Sequence, residues 1–444
     1  MVKDTSTLSK RAARYAKVSA SMVNFGARAA GHRLLGLGAD RRKQAERLRI
    51  ALGGLKGPLM KVAQILSSIP DAVPKEYALE LQQLQQDAPS MGWPFVRRRM
   101  TAELGPDWET KFKSFDREAC AAASLGQVHR ATSLDGRLLA CKLQYPDMNS
   151  ATEADLRQLK IVLAIFEHYD RAVSTKEVQK EIAERLREEL DYIREAKHMR
   201  LYGLMHKTTP NVYIPEPVAE LSTDRLLTMT WLEGKKFTAA ADAKPLKDRN
   251  EIAVNMFRAW YTPFYDYGII HGDPHMGNYT VRKDNGINLL DFGCVRVFRP
   301  ELVKGVLMLY EALRDHREDE AAEAYKLWGF AKPSKKLVET LNIWAKFVYA
   351  PTLEDKTRPI DETNTGFYGR ETANKVHAEL RKIGGVTIPR EFVLMDRAAI
   401  GLGSVFLRLD ASINWYRLFQ DLIRSFSVET LKKRQTKALK ACGL

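Results

Sequence analysis

Apolar residues recur at three- and four-residue steps through Leu48, Leu52, Leu55, Leu59, Val62 and Leu66, and again through Tyr77, Leu81 and Leu84. Such spacing gathers them on one helical face, so residues 1 to about 105 read as helix, punctuated at Pro70 and Pro74. From about 106 the texture shifts to short apolar runs bounded by turn residues. Phe115, then 121–131, then 138–143 read as strands, with Asp135-Gly136 a clear hairpin signal. A long helical stretch follows over 149–204, interrupted near 173–175. An extended piece at 212–217 and an apolar strand at 226–231, closed by Glu233-Gly234, come next. The rest reads as helix, except for 278–282 and 287–290 on either side of Asn285-Gly286. Strands early and helices late make an α+β chain of two lobes.

Composition narrows the class. A chain of 444 residues, 45% apolar and 28% charged, can bury several cores and is not globally disordered. Cys120, Cys141, Cys294 and Cys442 are scattered with no paired spacing, which points to a reducing compartment without disulfides or structural zinc. No stretch approaches the roughly 18–20 apolar residues of a membrane-spanning helix. The runs at 159–166 and 398–407 are short and fit core helices, and no signal-peptide core stands near the start.

The net charge of +15 is uneven: residues 1–60 carry 13 Lys/Arg against 3 Asp/Glu. Residues 7–37 contain no acid, so a basic segment over 1–40 can bind an anionic membrane, act as a transit peptide, or present a solvated helix face. Basic residues with interleaved aromatics are missing, so no nucleic acid is expected as a partner.

The chemistry concentrates in His271-Gly272-Asp273-Pro274-His275-Met276-Gly277-Asn278, followed twelve residues later by Asp291-Phe292-Gly293. Phosphoryl transfer needs one carboxylate at the attacking oxygen and oxygen ligands for Mg²⁺ across the phosphates. An Asp with Asn five positions on matches the kinase catalytic loop, and the later Asp-Phe-Gly matches its metal-binding turn. Asp273 is then the base or water-positioning group, with Asn278 and Asp291 as metal ligands. Either half alone could be an ordinary turn; both at this spacing with a hairpin between are specific.

Leu139-Ala140-Cys141-Lys142-Leu143 ends a strand as in the Val-Ala-Ile-Lys signature. A lysine on a buried strand needs phosphate or carboxylate to match its charge. The acidic helix at 181–197 offers Glu188, Glu189, Asp191 and Glu195, with Glu188 and Glu195 on one face; spacing alone does not choose among them. Ala121-Ala122-Ala123-Ser124 stands where a protein kinase has its glycine-rich loop, and alanines restrict the close backbone approach to phosphates that glycines permit. Trp231 and Leu232, closing the 226–231 strand, complete the nucleotide-binding candidates.

On these residues, together with Lys61-Val62-Ala63-Gln64, Glu189-Leu190-Asp191 and Glu195, residues 50–430 resemble the UbiB-type atypical kinases, which support biosynthesis of ubiquinone and related isoprenoid lipids. The resemblance implies a bilobal protein-kinase-like α+β fold with a helical N-terminal extension packed over the cleft. It divides the chain into a basic segment (1–40), the helical extension (41–105), an N-lobe (106–232) and a helical C-lobe (233–444). It implies an ATP- or ADP-binding, Mg²⁺-dependent ATPase, with catalytic roles for Asp273, Lys142 and Lys61. Lys142 pairs with Glu195 in that scheme, and Lys61 with Glu189 and Asp191. Partners implied are an anionic membrane surface and lipid-biosynthesis enzymes, in a cytoplasmic, peripherally membrane-associated setting, or an organellar matrix if residues 1–40 are a transit peptide. Ala63 departs from the family's glycine, and the two hydrophobic spans that end many bacterial members are replaced by a basic tail after Arg424.

Two other functions compete: a small-molecule phosphotransferase of the aminoglycoside or choline kinase type, which also carries a His-Gly-Asp-like loop, and a non-catalytic pseudokinase scaffold. Against a standard protein kinase stands the lack of an Ala-Pro-Glu motif and of a long segment after Asp291-Phe292-Gly293, since Arg299-Pro300-Glu301 already starts a helix.

Overall fold

The computed structural model describes residues 91–122, 125–146, 148, 152, 153, 156, 180, 183, 184, 186–330, 332–362, 369–383 and 389–444. Lys61 with its neighbours, Ala123, Ser124, the 1–40 segment and the extension through residue 90 lie outside these. The described residues fall into two compact units. One comprises 91–120, 128–144 and 187–444; the described residues among 121–127 and 145–186 belong to the other.

In the larger unit, helix α1 (Trp93–Leu104) precedes an antiparallel sheet. Its strands are β1 (Phe112–Phe115), β3 (Gly126–Ser133, with 128–133 in this unit), β4 (Leu138–Gln144) and β6 (Leu226–Thr230), in the order β1-β3-β4-β6. The intervening β2 (Ala121–Ala122) is a short exposed strand of the other unit. The β3–β4 hairpin turns where expected, with Gly136 at φ +90. Because β4 lies between β3 and β6, its alternate residues Cys141 and Leu143 are sealed on one face while Lys142, paired in register with Leu227, projects from the other.

The helix expected through 181–197 is broken. Leu190 turns, and Asp191, at φ −96 and ψ 84, starts a new helix α2 (Tyr192–Met205) by accepting from the Arg194 backbone N–H at 2.9 Å. Asp satisfies an orphan helix donor at this position and so prefers the cap to the helix interior.

Beyond the sheet the chain forms a helical lobe. Strand β5 (Val212–Tyr213) and the two-residue β7 (Lys235–Lys236) are the outer strands of its four-stranded sheet, and the long helix α3 (Leu246–Tyr267) is its axis. Gly268 ends α3 in the left-handed region at φ +64, where a β-carbon would come 2.7 Å from Gln435 Nε2. Strand β8 (Ile269–His271) starts at once, and the candidate loop hangs from its end. A hairpin of β9 (Tyr279–Val281) and β10 (Ile287–Leu289) follows, turning through Asn285 at φ +62. Strand β11 (Val295–Val297) then returns antiparallel to β8, with Val295 opposite His271.

Helices α4 (Pro300–Arg314), α5 (Lys335–Leu353), α6 (Arg390–Leu409) and α7 (Trp415–Ile423) complete the lobe around a core that includes Phe264, Tyr310 and Trp415. The basic tail is a helix too: α8 (Val428–Cys442) buries Leu431 and Ala438, and its Gln435 amide donates to the carbonyls of Tyr267 and Phe298, both at 2.8 Å. It thereby ties the start of β8 to the end of β11. No helix of the described residues is long and apolar enough to cross a membrane.

Gly272 is required by this closure. Its N–H donates to the Cys294 carbonyl at 2.6 Å, and a β-carbon there would sit 2.6 Å from Cys294 Sγ. Gly272→Ala is expected to cost about 1–3 kcal/mol of unfolding free energy by overpacking, with part recovered in the double variant carrying Cys294→Ala. Urea denaturation of the parent, Gly272→Ala, Cys294→Ala and the double variant checks this, and a Gly272→Ala protein as stable as the parent would contradict it.

Candidate nucleotide and phosphoryl-transfer site

Lys142 comes from the middle of β4, Glu195 from the first turn of α2, and Asp291 from the turn after β10. The Lys142 Nζ donates to Glu195 at 2.7 and 3.0 Å and to Asp291 Oδ2 at 3.2 Å. It also lies 5.2 Å from the centre of the Tyr192 ring, a cation–π contact at the start of the same helix. Of the four acids offered by 181–197, the helix break selects Glu195: the new helix aims its first turn at the sheet. Gln144, two residues along β4, helps hold that geometry by donating to the Leu190 carbonyl at 3.1 Å.

Charge is shared unequally in this cluster. Glu195 is only 1% exposed, whereas Asp291 is half-buried. Burial pushes the Glu195 carboxyl up to about 7; Lys142 draws it down and the nearby Asp291 charge adds to the rise. Burial alone would lower the Lys142 ammonium, but Asp291 and then Glu195 hold it well above its ordinary value. Asp291 and Glu195 both favour the charged ammonium of Lys142.

The catalytic-loop candidates are fixed through backbone contacts. The Asp273 N–H donates to His271 Nδ1 at 3.1 Å, which leaves Nε2 to carry the proton donated to the Asp291 carbonyl at 2.6 Å. A single imidazole therefore spans the two acidic motifs. His271 packs on Trp260 and Phe292 with ring centres 5.6 and 6.2 Å away. Asn278 donates to the Asp273 carbonyl at 3.2 Å and to its carboxylate at 3.4 Å. The Asn278 carbonyl in turn accepts from the Leu290 N–H at 3.0 Å, one residue before Asp291. Asp291 Oδ1 accepts from the Gly293 N–H at 3.1 Å.

Among the described residues no group of three or more His, Cys, Asp or Glu is arranged as a metal site. The donor set present suits Mg²⁺ held partly by a nucleotide, because that ion keeps several waters and takes one or two carboxylates plus phosphate oxygens. Asn278 spends its amide N–H on Asp273, and its amide oxygen takes no hydrogen bond from the described residues. The Asp291 carboxylate would supply the charged oxygen.

The other sequence candidates are distributed as follows. Glu189 lies against the Asp-Phe-Gly turn: a β-carbon on Gly293 would be 3.7 Å from its Cγ. Asp191 is exposed and caps α2. Trp231 and Leu232 follow β6, with the Trp231 indole donating to Glu233 at 2.9 Å and Arg130 lying 5.0 Å over its ring. Ala121 and Ala122 belong to the other unit.

Sequence reading missed several supports. His271 was visible as the residue before Gly-Asp but carried no assigned role. Glu188 forms ion pairs at 2.7 Å with both Arg194 and Arg296, linking the residues before α2 to β11. His198 of α2 contacts the Phe292 carbonyl at 3.1 Å through Nδ1.

A lysine joined to a helix glutamate, beside an Asp-Phe-Gly turn and an Asp/Asn loop, between a sheet and a helical lobe, defines a protein-kinase-like protein. The ABC1 atypical kinase-like domain matches residues 83–325, and the chain belongs to that family. The mitochondrial atypical kinase COQ8 of Saccharomyces cerevisiae is 25% identical over 386 residues, 85% of this chain and 75% of that protein. An uncharacterised chloroplastic aarF domain-containing protein kinase of Arabidopsis thaliana is 32% identical over 266 residues, 60% of this chain and 37% of its own length. The chain thus spans well under two thirds of that plant relative. The solved structure of Rv3197 from Mycobacterium tuberculosis, in complex with erythromycin, superposes with a TM-score of 0.60 at 26% identity, covering 86% of this chain and 96% of that one.

Two outcomes follow. Glu195→Ala leaves Lys142 with only Asp291, and should lower the unfolding free energy by about 3 kcal/mol; a loss below about 1 kcal/mol in denaturant titration would remove the pair from the architecture. Burial lowers the His198 imidazole from 6.5 to about 4. Its folded-state value is depressed, so its stabilising contribution is complete above pH 6.5 and is lost as pH falls toward 4. Stability should therefore fall more steeply across this window in the parent than in His198→Gln, and parallel curves would contradict the assignment.

Proposed function

We propose that this chain is an atypical kinase-like, Mg²⁺-dependent ATPase that supports ubiquinone or related isoprenoid-lipid biosynthesis at a membrane surface. The observation that carries the proposal is the meeting of Lys142, Glu195 and Asp291 on one side of His271 and of Asp273 and Asn278 on the other. Lys142 contacts the nucleotide phosphates, and Glu195 fixes its position. Asp291 and Asn278 would hold Mg²⁺, which when bound would neutralise charge on the phosphate oxygens. Asp273 orients the attacking oxygen and accepts its proton. The resemblance to the UbiB-type kinases adds roles in the same activity for Lys61, Glu189 and Asp191, and a nucleotide-binding role for Ala121, Ala122, Ala123, Ser124, Trp231 and Leu232.

Water as acceptor is favoured by the short connection after the Asp-Phe-Gly turn. Only residues 294–299 separate Gly293 from α4, and half of them are β11, paired to β8. A peptide-docking segment has no room among these residues. The lipid assignment rests on the likeness to COQ8. A membrane or organellar setting draws on the basic 1–40 segment and on relatives named as mitochondrial and chloroplastic.

Mg²⁺-dependent ATP hydrolysis, measured with and without anionic liposomes, tests the proposal. Asp291→Asn should weaken Mg²⁺-nucleotide binding at least tenfold, whereas Asp273→Asn should keep binding and lose turnover by about 10²-fold or more. Turnover that demands an added aminoglycoside or choline would move the chain to the small-molecule phosphotransferases. Binding without turnover under every condition would make it a scaffold. Removal of residues 1–40 should reduce sedimentation with anionic vesicles and leave nucleotide binding intact; equal sedimentation would remove the membrane role of that segment.

A further inference from the structure

A cavity of about 100 Å³ lies in the helical lobe, lined by residues of α3 to α7, by Ile270 of β8 and by Tyr325 and Trp328 between α4 and α5, and by none of Lys142, Glu195, Asp273, Asn278 or Asp291. Protein interiors pack tightly enough that voids larger than a water are few. Its walls are aromatic to an unusual degree, among them Trp260, Tyr261, Tyr265, Trp344 and Phe392. An apolar cavity of roughly this size, ~150 Å³ in an engineered case, stays dry and takes up benzene.

The wall also carries hydroxyls, and they are not alike. Tyr325 donates to Asn342 at 3.0 Å, Tyr349 to the Val306 carbonyl at 3.0 Å, and Thr352 to the Tyr349 carbonyl at 2.8 Å. The hydroxyls of Tyr261 and Tyr265 make no hydrogen bond to any described residue, although Tyr265 is only 5% exposed. Burial, reinforced by Tyr349, Tyr261 and Tyr310 nearby, raises the Tyr265 phenol well above its ordinary range, so it stays protonated and available as a donor or acceptor.

We propose that this cavity is a second ligand site, for a small apolar ring compound bearing one hydrogen-bonding group, with the ring against Trp344 and Phe392 and the polar group on Tyr265 or Tyr261. Size limits the ligand to one ring or two fused rings. The helices of the wall bring the aromatic surface and the two hydroxyls to one place, and the wall reaches the candidate site only from behind, through Ile270 and through Trp260 against His271.

Indole and benzene serve as probes on the full chain, with binding followed by calorimetry and ligand-observed NMR. The parent should bind both saturably at one site. Tyr265→Phe should weaken indole about fivefold, the worth of one hydrogen bond, and leave benzene unchanged. Ala345→Leu fills the cavity from α5; that helix is chosen because Trp260 packs on His271 and Gly401 of α6 abuts Pro274. It should abolish binding of both probes while circular dichroism shows the fold retained. Absence of saturable binding to the parent would overturn the proposal, as would undiminished binding of both rings to Ala345→Leu. If Ala345→Leu fails to fold, the parent and Tyr265→Phe decide it: equal loss of indole and benzene in Tyr265→Phe removes the polar contact.

Discussion

An ammonium buried between two carboxylates is tolerable only if all three groups are held at contact distance, because each loses water that its partners must replace. Here those groups come from β4, α2 and the turn after β10, 53 and 149 residues apart along the chain. Much of the larger unit can be understood as meeting that demand. The central place of β4 in its sheet seals the residues beside Lys142. The break at Leu190 and the Asp191 cap restart the helix so that Glu195 faces the strand. Glu188, between Arg194 and Arg296, then braces the restarted helix against the strand that leaves the Asp-Phe-Gly turn.

A second set of constraints fixes the loop that faces this cluster, and it works mainly through backbone. The left-handed Gly268 lets α3 pass directly into β8, and Gly272 lets β8 and β11 meet without a side chain between them. His271 then has both ring nitrogens engaged, one on the Asp273 N–H and one on the Asp291 carbonyl. Gln435 of the last helix fastens the far ends of the same two strands. Rigid placement of this kind matters for phosphoryl transfer, where the protein contributes position and charge more than covalent chemistry.

Much of this was legible in the sequence because it is local. Asp135-Gly136 and Asn285-Gly286 marked their hairpins, and the apolar run 226–231 marked β6. The spacing of Asp273, Asn278 and Asp291 marked the loop and turn. Spacing could not choose the partner of Lys142 among four acids, since all sit on one apparently continuous helical stretch. The choice is made by a helix break whose only local signal was an Asp able to act as a cap. His271, Glu188 and Gln435 were hidden for the same reason: each acts on residues distant in sequence, which no periodicity reports. The aromatic cavity was equally invisible, because its walls had only the pattern of ordinary core helices.

In the proposed function the lysine–carboxylate cluster and the Asp/Asn loop hold a metal-bound nucleotide between them. Its most direct test is a crystal structure of the chain with Mg²⁺ and a non-hydrolysable ATP analogue. Mg²⁺ is expected at about 2.0–2.1 Å from the Asp291 carboxylate and the Asn278 amide oxygen, with Lys142 on the phosphates. A nucleotide bound elsewhere, or a metal that touches neither residue, would contradict it.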